Sequence, residues 1–124
     1  MKLIFPIVFS LLLLLGCAAP AAGYRQITGE EALTLMSEQT DYLILDVRTP
    51  EEFAAGHIPG AINIPNEAIG TDPVAGLPRM DQLILVYCRS GNRSKQAAVK
   101  LVDLGYTNIV EFGGVNTWPG ELVS

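Results

Sequence analysis

Two nearly continuous apolar runs constrain the fold of this chain more than any other feature of its sequence. The runs are Tyr42–Val47 (YLILDV) and Leu83–Tyr87 (LILVY). Each has the length of a strand, and such runs are typical of central parallel strands that are covered on both faces. Because helical patterns alternate with strand-like segments along the chain, we predict an α/β domain whose parallel sheet has helices on both faces.

Capping signals set the boundaries of the first two helices. Thr28 followed by Glu31 forms a capping box and predicts a helix that ends near Gln39. Thr49 before Pro50 predicts a second, shorter helix that ends at Gly56. The pattern predicts these further elements: strands over 61–64 and 108–112, a loop over 66–80, a helix over 93–104, a turn at 113–114 and a closing helix over 115–123.

The first apolar run of the chain, Leu3–Leu15, predicts export. Its thirteen residues are too few for a membrane-spanning helix, which needs roughly 20. With Lys2 before it, the run is typical of a signal peptide. We therefore expect a signal peptide over residues 1–16, a tether over 17–26 and a single domain over 27–124 that is exported to the periplasm.

The sequence is compatible with two ways of processing the signal peptide. The sequence Leu14-Leu15-Gly16-Cys17 resembles a bacterial lipobox, in which a lipid on Cys17 would anchor the protein to a membrane. Leu15 departs from that pattern, since a smaller residue is more usual there. Ordinary cleavage near residues 19–21 would instead leave a soluble periplasmic protein. Because Cys17 is lipidated or removed, Cys88 is left without a disulfide partner.

The charge of the chain argues against nucleic acid as a partner. Its net charge is −5, and loss of residues 1–16 would remove Lys2 and leave −6. Nucleic-acid binding depends on the neutralisation of phosphates by basic side chains. We therefore expect no nucleic-acid partner.

A basic, glycine-containing loop follows the apolar run LILVY. It begins at Cys88 and leads into a helix, so it lies at the carboxyl edge of the sheet, where ligands bind in such folds. The helix N-terminus, Arg89 and Arg93 supply the positive potential that a reactive thiolate needs, and Gly91 lets several amides converge on one point. The loop could hold a thiolate, a persulfide or a small oxyanion. The alternative is that Cys88 packs inertly against the sheet.

Several motifs in the same order resemble a single-domain rhodanese, a thiosulfate sulfurtransferase. The resemblance runs from about Ile27 to Trp118 and is carried by five segments: Asp46-Val47-Arg48, Glu51-Glu52-Phe53, the stretch 56–65 (GHIPGAINIP), the stretch 88–94 (CRSGNRS) and the stretch 113–118 (GGVNTW). It implies a rhodanese-like fold with a five-stranded parallel sheet, and no cofactor. It also implies a ping-pong reaction in which Cys88 takes the outer sulfur of thiosulfate as a persulfide and passes it to a thiol or cyanide.

The resemblance also implies roles for individual residues. Cys88 is the catalytic residue, and the substrate-binding residues are those of the loop: Arg89, Ser90, Gly91, Asn92, Arg93 and Ser94. The similar loop of related phosphatases has one more residue between Cys and Arg than the loop here. The resemblance therefore implies that the shorter loop of this chain suits a sulfur atom better than a tetrahedral oxyanion. Two alternatives remain: a persulfide relay between proteins, and a non-catalytic rhodanese-like binding module.

The other polar motifs are expected to be structural. Asp46 and Arg48 follow a buried strand and are expected to pair or to brace the active loop, since sulfur transfer to a thiolate needs little proton movement. His57 is the only histidine, and its position in a turn favours a hydrogen-bonded structural role over a general base. No second His or Cys is placed to form a metal site with it. Trp118 is expected in the core or at the rim of the pocket.

Overall fold

The computed structural model describes residues 23–124 with the exception of Thr71 and Pro73. The predicted signal peptide, Cys17 and most of the predicted tether lie outside the described residues. The described elements, in chain order, are β1 (Arg25–Gln26), α1 (Gly29–Glu38), β2 (Tyr42–Asp46), α2 (Pro50–Ala55), β3 (Ile62–Asn63), β4 (Leu83–Cys88), α3 (Asn92–Asp103) and β5 (Ile109–Gly114). Single turns of 3-10 helix lie at Asn66–Ala68 and Val115–Thr117.

The five strands form one parallel sheet in the order β1-β5-β4-β2-β3. Alternate residues of β4 face opposite sides, so Leu85 packs with Ala32 of α1, while Val86 and Cys88 pack with Ala97 of α3. The sheet therefore has helices on both faces. The predicted fold class, an α/β domain with a five-stranded parallel sheet, is confirmed.

The first two helices begin where their capping boxes predict. The Thr28 hydroxyl accepts from the Glu31 amide at 3.0 Å, and the Glu31 carboxylate accepts from the Thr28 amide at 2.8 Å. Thr49 and Glu52 repeat the arrangement at α2, which ends at Gly56 as predicted. The helix α3 differs, because Gly91 at its N-cap offers no side chain to its first amides. The first amides of α3 therefore depend on an acceptor other than the N-cap side chain.

Strand β1 was not predicted from the sequence. Arg25 and Gln26 had been assigned to the tether, but they pair with Val110 and Glu111 of β5. Both residues are exposed at the edge of the sheet. An exposed two-residue strand needs no apolar residues, so it carries no hydrophobic pattern from which it could be predicted.

The expectations for the end of the chain were wrong. Gly113 and Gly114 are the last residues of β5 rather than a turn, and the closing helix is absent. After the 3-10 turn the chain runs extended across Pro119, and the backbones of Val123 and His57 exchange two hydrogen bonds of 2.8 Å. A proline and a glycine at 119–120 disfavour helix, and pairing with His57 supplies the hydrogen bonds instead. Among the described helices, none is both long and apolar enough to span a bilayer.

Candidate active site

The sulfur of Cys88 lies where β4 meets the loop before α3. Cys88 is the last residue of β4, on the face that α3 covers, and only 1% of its surface is exposed. The Gly91 amide donates to Cys88 Sγ at 3.0 Å. The sulfur therefore occupies the place of a capping acceptor at the N-terminus of α3, where the helix dipole favours negative charge.

The loop curls around the sulfur because two glycines allow it. Gly91 has a φ of +108°, a left-handed conformation that other residues rarely adopt. Gly114 of β5 packs directly against the loop backbone, since a Cβ there would lie 2.1 Å from the Arg89 carbonyl oxygen. That same oxygen accepts from the Asn116 amide at 3.2 Å. The chain at the end of β5 thus holds the loop at Arg89 through both a close packing contact and a hydrogen bond.

Hydrogen bonds at the sulfur favour the thiolate. Burial raises the pKa of the Cys88 thiol, but the Ser94 hydroxyl and the amides of Ser94, Gly91 and Ser90 together outweigh it, so the pKa lies below the ordinary value for cysteine. A lowered pKa gives more of the nucleophilic thiolate at neutral pH. The arrangement therefore supports nucleophilic chemistry at Cys88.

Ser94 lies beneath the sulfur rather than at the surface of the loop. It is fully buried, and the Cys88 thiol donates to its Oγ at 3.5 Å. The Ser94 hydroxyl also faces the Gly91 carbonyl at 3.1 Å, the Gly113 carbonyl at 3.3 Å and, nearest of all, the carboxylate of Glu111. Ser94, a predicted substrate-binding residue, is thus buried and contacts the sulfur of Cys88 from the interior of the protein.

Arg93 is held by a partner that the sequence did not suggest. Its Nη1 and Nη2 donate to the two carboxylate oxygens of Glu52 at 2.7 and 3.1 Å. This hydrogen bonding lowers the pKa of Glu52 to about 2, against the opposing effect of its partial burial. Hydrogen bonding to Glu52 raises the pKa of Arg93, and the charge of Cys88 adds to this effect. Arg89, Ser90 and Asn92 are exposed at the surface of the loop.

Comparisons with known proteins agree with this geometry. The model of the family described as rhodanese-like domain matches residues 28–121. This chain belongs to the rhodanese family. Among relatives, it is 36% identical over 103 residues to the thiosulfate sulfurtransferase GlpE of Pseudomonas entomophila, covering 79% of this chain and 91% of that protein.

Two further similar proteins differ in how much of their own length the matched region covers. A solved rhodanese with anions from E. coli superposes with a TM-score of 0.61 at 32% identity, covering 67% of this chain and 98% of that one. The adenylyltransferase and sulfurtransferase UBA4 of Meyerozyma guilliermondii is 37% identical over 91 residues, which are 67% of this chain but only 21% of that protein. The names of these relatives support sulfur transfer as the general chemistry of this rhodanese domain.

Asp46 and Arg48 form the predicted pair, but Arg48 contacts the segment after α2 and Tyr87 rather than the loop that follows Cys88. Both side chains are buried, and Arg48 Nη2 lies 2.7 Å from Asp46 Oδ2 and 2.7 Å from the Gly56 carbonyl. The guanidinium also lies 5.8 Å from the centre of the Tyr87 ring. The pair therefore anchors the start of the segment after α2 and supports the residue next to Cys88, rather than bracing the loop itself.

His57 and Trp118 have the surroundings expected of structural residues. His57 Nδ1 lies 2.8 Å from the Phe53 carbonyl, and the two rings stack with centroids 3.7 Å apart. Trp118 packs on Phe112 in the core of the α1 face, and its indole N–H donates to the Glu121 carbonyl. Neither ring contacts the loop around Cys88 in these interactions.

Glu111 is the main residue at the site that the sequence analysis missed. Its side chain is 1% exposed, and its carboxylate accepts from Ser94, from the Gly113 amide at 2.9 Å and from Gln26 at 3.2 Å. One signal was present: a single acidic residue inside the apolar strand IVEF. An acidic residue inside a buried apolar strand is rare unless it has a structural or functional role.

Proposed function

We propose that this protein is a thiosulfate sulfurtransferase that carries sulfur as a persulfide on Cys88. The observation that carries the proposal is the buried sulfur that accepts the Gly91 amide at 3.0 Å at the N-terminus of α3. This environment favours negative charge at one sulfur position and leaves little room around it. Both properties suit a thiolate nucleophile and the persulfide that it forms.

The first half-reaction needs no proton transfer. The Cys88 thiolate attacks the outer sulfur of thiosulfate, a new S–S bond forms, the S–S bond of thiosulfate breaks, and sulfite leaves with the electron pair. The charge of the thiolate then resides on the outer sulfur of the persulfide. In the second half-reaction an acceptor, cyanide or a thiolate, attacks that outer sulfur and releases the Cys88 thiolate.

Arg93 is the side chain best placed to assist an anionic donor. A guanidinium carries five N–H donors, and Glu52 takes two of them, from Nη1 and Nη2. Within the part of the chain that the structure describes, the remaining donors have no side-chain partner and can serve an anion, while Glu52 neutralises part of the charge. In this proposal the Arg93–Glu52 pair sets the strength of thiosulfate binding.

Mass spectrometry of the intact protein tests the proposal directly. Treatment with thiosulfate should add about 32 Da, the mass of one sulfur atom, and Cys88→Ser should abolish the gain. Subsequent cyanide should remove the added mass and release thiocyanate. Absence of the added mass in the wild-type protein would contradict the proposal and would favour a binding module instead.

Two variants of the ion pair test the role of Arg93. Arg93→Ala should raise the KM for thiosulfate, and Glu52→Gln should lower it because the guanidinium charge is released. If the pair only stabilises the loop, both variants should impair the reaction in the same direction. That second result would exclude thiosulfate binding by Arg93.

A persulfide relay between proteins is the alternative that the same assay separates. Only 1% of Cys88 is exposed, and a sulfur so enclosed is reached more easily by a small donor than by a protein side chain. The proposal therefore predicts rapid loading by thiosulfate. Slow loading by thiosulfate together with fast loading by a persulfidated protein would favour the relay.

We also propose that the protein is exported and anchored by a lipid on Cys17. The support is the sequence Leu14-Leu15-Gly16-Cys17 after an apolar run of signal-peptide length. Labelled palmitate should be incorporated into the wild-type protein in bacterial cells and not into Cys17→Ser. A mature, unlabelled protein that begins near Ala22 would refute the anchor and support soluble export.

A further inference from the structure

Glu111 is a buried carboxylate without a counter-charge beside the proposed nucleophile. Among the described residues, it takes part in none of the ion pairs. Its three hydrogen-bond donors are neutral groups of Ser94, Gly113 and Gln26. Burial of an unpaired carboxylate is costly, since neutral donors replace only part of the water that it loses. The carboxylate is nevertheless buried next to Ser94, the residue that contacts the sulfur of Cys88.

Ser94 connects this carboxylate to the sulfur but can donate its single proton to only one of them at a time. A serine hydroxyl has a single proton to donate and accepts through its lone pairs. Ser94 Oγ faces both Cys88 Sγ, at 3.5 Å, and the carboxylate of Glu111, which is closer. While Glu111 is ionised, the hydroxyl proton points to the carboxylate, and the oxygen is left to accept from the Cys88 thiol.

We propose that Glu111 is a positioning residue that controls the protonation of Cys88 through Ser94, so that the thiol and the carboxyl group share one proton. While the proton is on the sulfur, the ionised carboxylate holds the Ser94 hydroxyl proton and opposes the thiolate that the loop amides favour. When the proton moves to Glu111, the Ser94 hydroxyl turns to the sulfur and stabilises the thiolate. This inference rests on the proposed function only in taking Cys88 as the nucleophile.

The proton transfer balances within the three side chains. The S–H bond of Cys88 breaks as an O–H bond forms on Ser94, and the original O–H bond of Ser94 breaks as one forms on Glu111 Oε2. One negative charge is present before and after the shift, and it moves from the carboxylate to the sulfur. No external base is required. The reverse shift returns a proton to the thiolate that the acceptor step releases.

The other charged groups near the site do not take over this role. Arg93 lies in the first turn of α3, but its charge is balanced by Glu52. The buried charges at the end of β2, Asp46 and Arg48, balance each other. The basic residues Arg89 and Lys95 and, beside Gln26 on β1, Arg25 are exposed, and solvent screens them. Among the charged side chains that the structure describes near the site, Glu111 is thus the one that is buried, lacks an ion-pair partner and contacts Ser94.

The rate of alkylation of Cys88 by iodoacetamide, measured from pH 4 to pH 10, tests the proposal. Glu111→Gln keeps the size and the accepting oxygen of the side chain but removes its charge. We expect the Cys88 pKa to fall by about one unit and alkylation at pH 6 to become about tenfold faster. If Glu111 only supports the loop, its loss would loosen the amides around the sulfur, and the pKa would rise or stay unchanged. Either of those results would overturn the proposal.

Ser94→Ala is the matched control because it removes the bridge and leaves the carboxylate. The thiolate then loses its hydroxyl donor and still faces Glu111, so we expect the Cys88 pKa to rise. The two variants should thus shift the pKa in opposite directions. Shifts in the same direction would indicate a common loosening of the loop and would contradict a shared proton.

A measurement on the wild-type protein covers the case in which Glu111→Gln does not fold. The carboxyl carbon of Glu111, followed by NMR with 13C-labelled glutamate, should move over the pH range in which Cys88 ionises, because coupled groups sense each other's titration. That movement should be absent in Cys88→Ser. No movement in the wild-type protein would overturn the proposal. Neither measurement uses a sulfur donor, so each is independent of whether thiosulfate is the substrate.

Discussion

Replacement of Gly114 by alanine tests how closely β5 must approach the active-site loop. Gly114 pairs with Cys88 in the sheet, and its φ of −163° is an extended conformation that alanine also adopts. A Cβ at this position would lie 2.1 Å from the Arg89 oxygen and 2.7 Å from the Ser90 nitrogen. The perturbation is therefore a collision with backbone atoms, without strain in the substituted residue itself.

The size of the effect follows from these distances. Real Cβ contacts are essentially never shorter than 3.0 Å, so strand and loop must separate by about 0.9 Å. Overpacking of this kind costs about 1–3 kcal/mol, and a cost of about 2 kcal/mol lowers the Tm of a domain this size by about 8–16 °C. The loop amides move with the loop, and a displacement of about 1 Å at an active site costs about 100-fold in rate.

The assay compares Gly114→Ala with Gly70→Ala. Gly70 is exposed, has no atom within 4 Å of an added Cβ and does not have a positive φ, so its substitution should change the stability by less than about 1 kcal/mol. Thermal unfolding followed by circular dichroism gives the stability, and the rate of persulfide formation gives the activity. The reasoning is refuted if the two variants are alike in both measurements.

Three further substitutions probe ion pairs of different burial. Because Arg93 lowers the pKa of Glu52 from 4.5 to about 2 in the folded protein, the ion pair stabilises the fold above about pH 4.5 and this contribution is lost as the pH falls towards 2. Urea unfolding should therefore show a stability difference between wild type and Glu52→Gln that disappears over this range, whereas a constant difference would contradict the linkage. Asp46→Asn leaves the buried charge of Arg48 without a partner and should cost about 3–5 kcal/mol. Asp41→Asn breaks an exposed pair and should cost less than about 1 kcal/mol; equal losses in the same urea assay would show that burial does not decide the value of these pairs.

The features predicted from the sequence share one property: the interacting residues are close along the chain. The capping boxes of α1 and α2 each join residues three positions apart. Cys88 and Gly91 are likewise three positions apart, so a strand followed by a basic, glycine-containing loop and a helix was enough to predict that loop amides surround the sulfur of Cys88.

The features that were missed join distant parts of the chain. Glu52 and Arg93 are 41 positions apart, and Ser94 and Glu111 are 17 apart. The extended end of the chain, which was predicted as a helix, depends on the pairing of Val123 with His57. No local pattern specifies which of several acidic residues reaches a given arginine or serine, because that choice depends on the order of strands in the sheet.

The sequence by itself determined where Cys88 would lie, since alternating strands and helices place the end of β4 at the edge of a parallel sheet. Short-range hydrogen bonds and the hydrophobic pattern are sufficient for that. Only the tertiary structure decided the electrostatic state of the thiol. The neighbouring strand β5 brings Glu111 under Ser94, and α2 brings Glu52 to Arg93. Charges act on the sulfur through space, so their effect depends on distances that exist only in the folded chain.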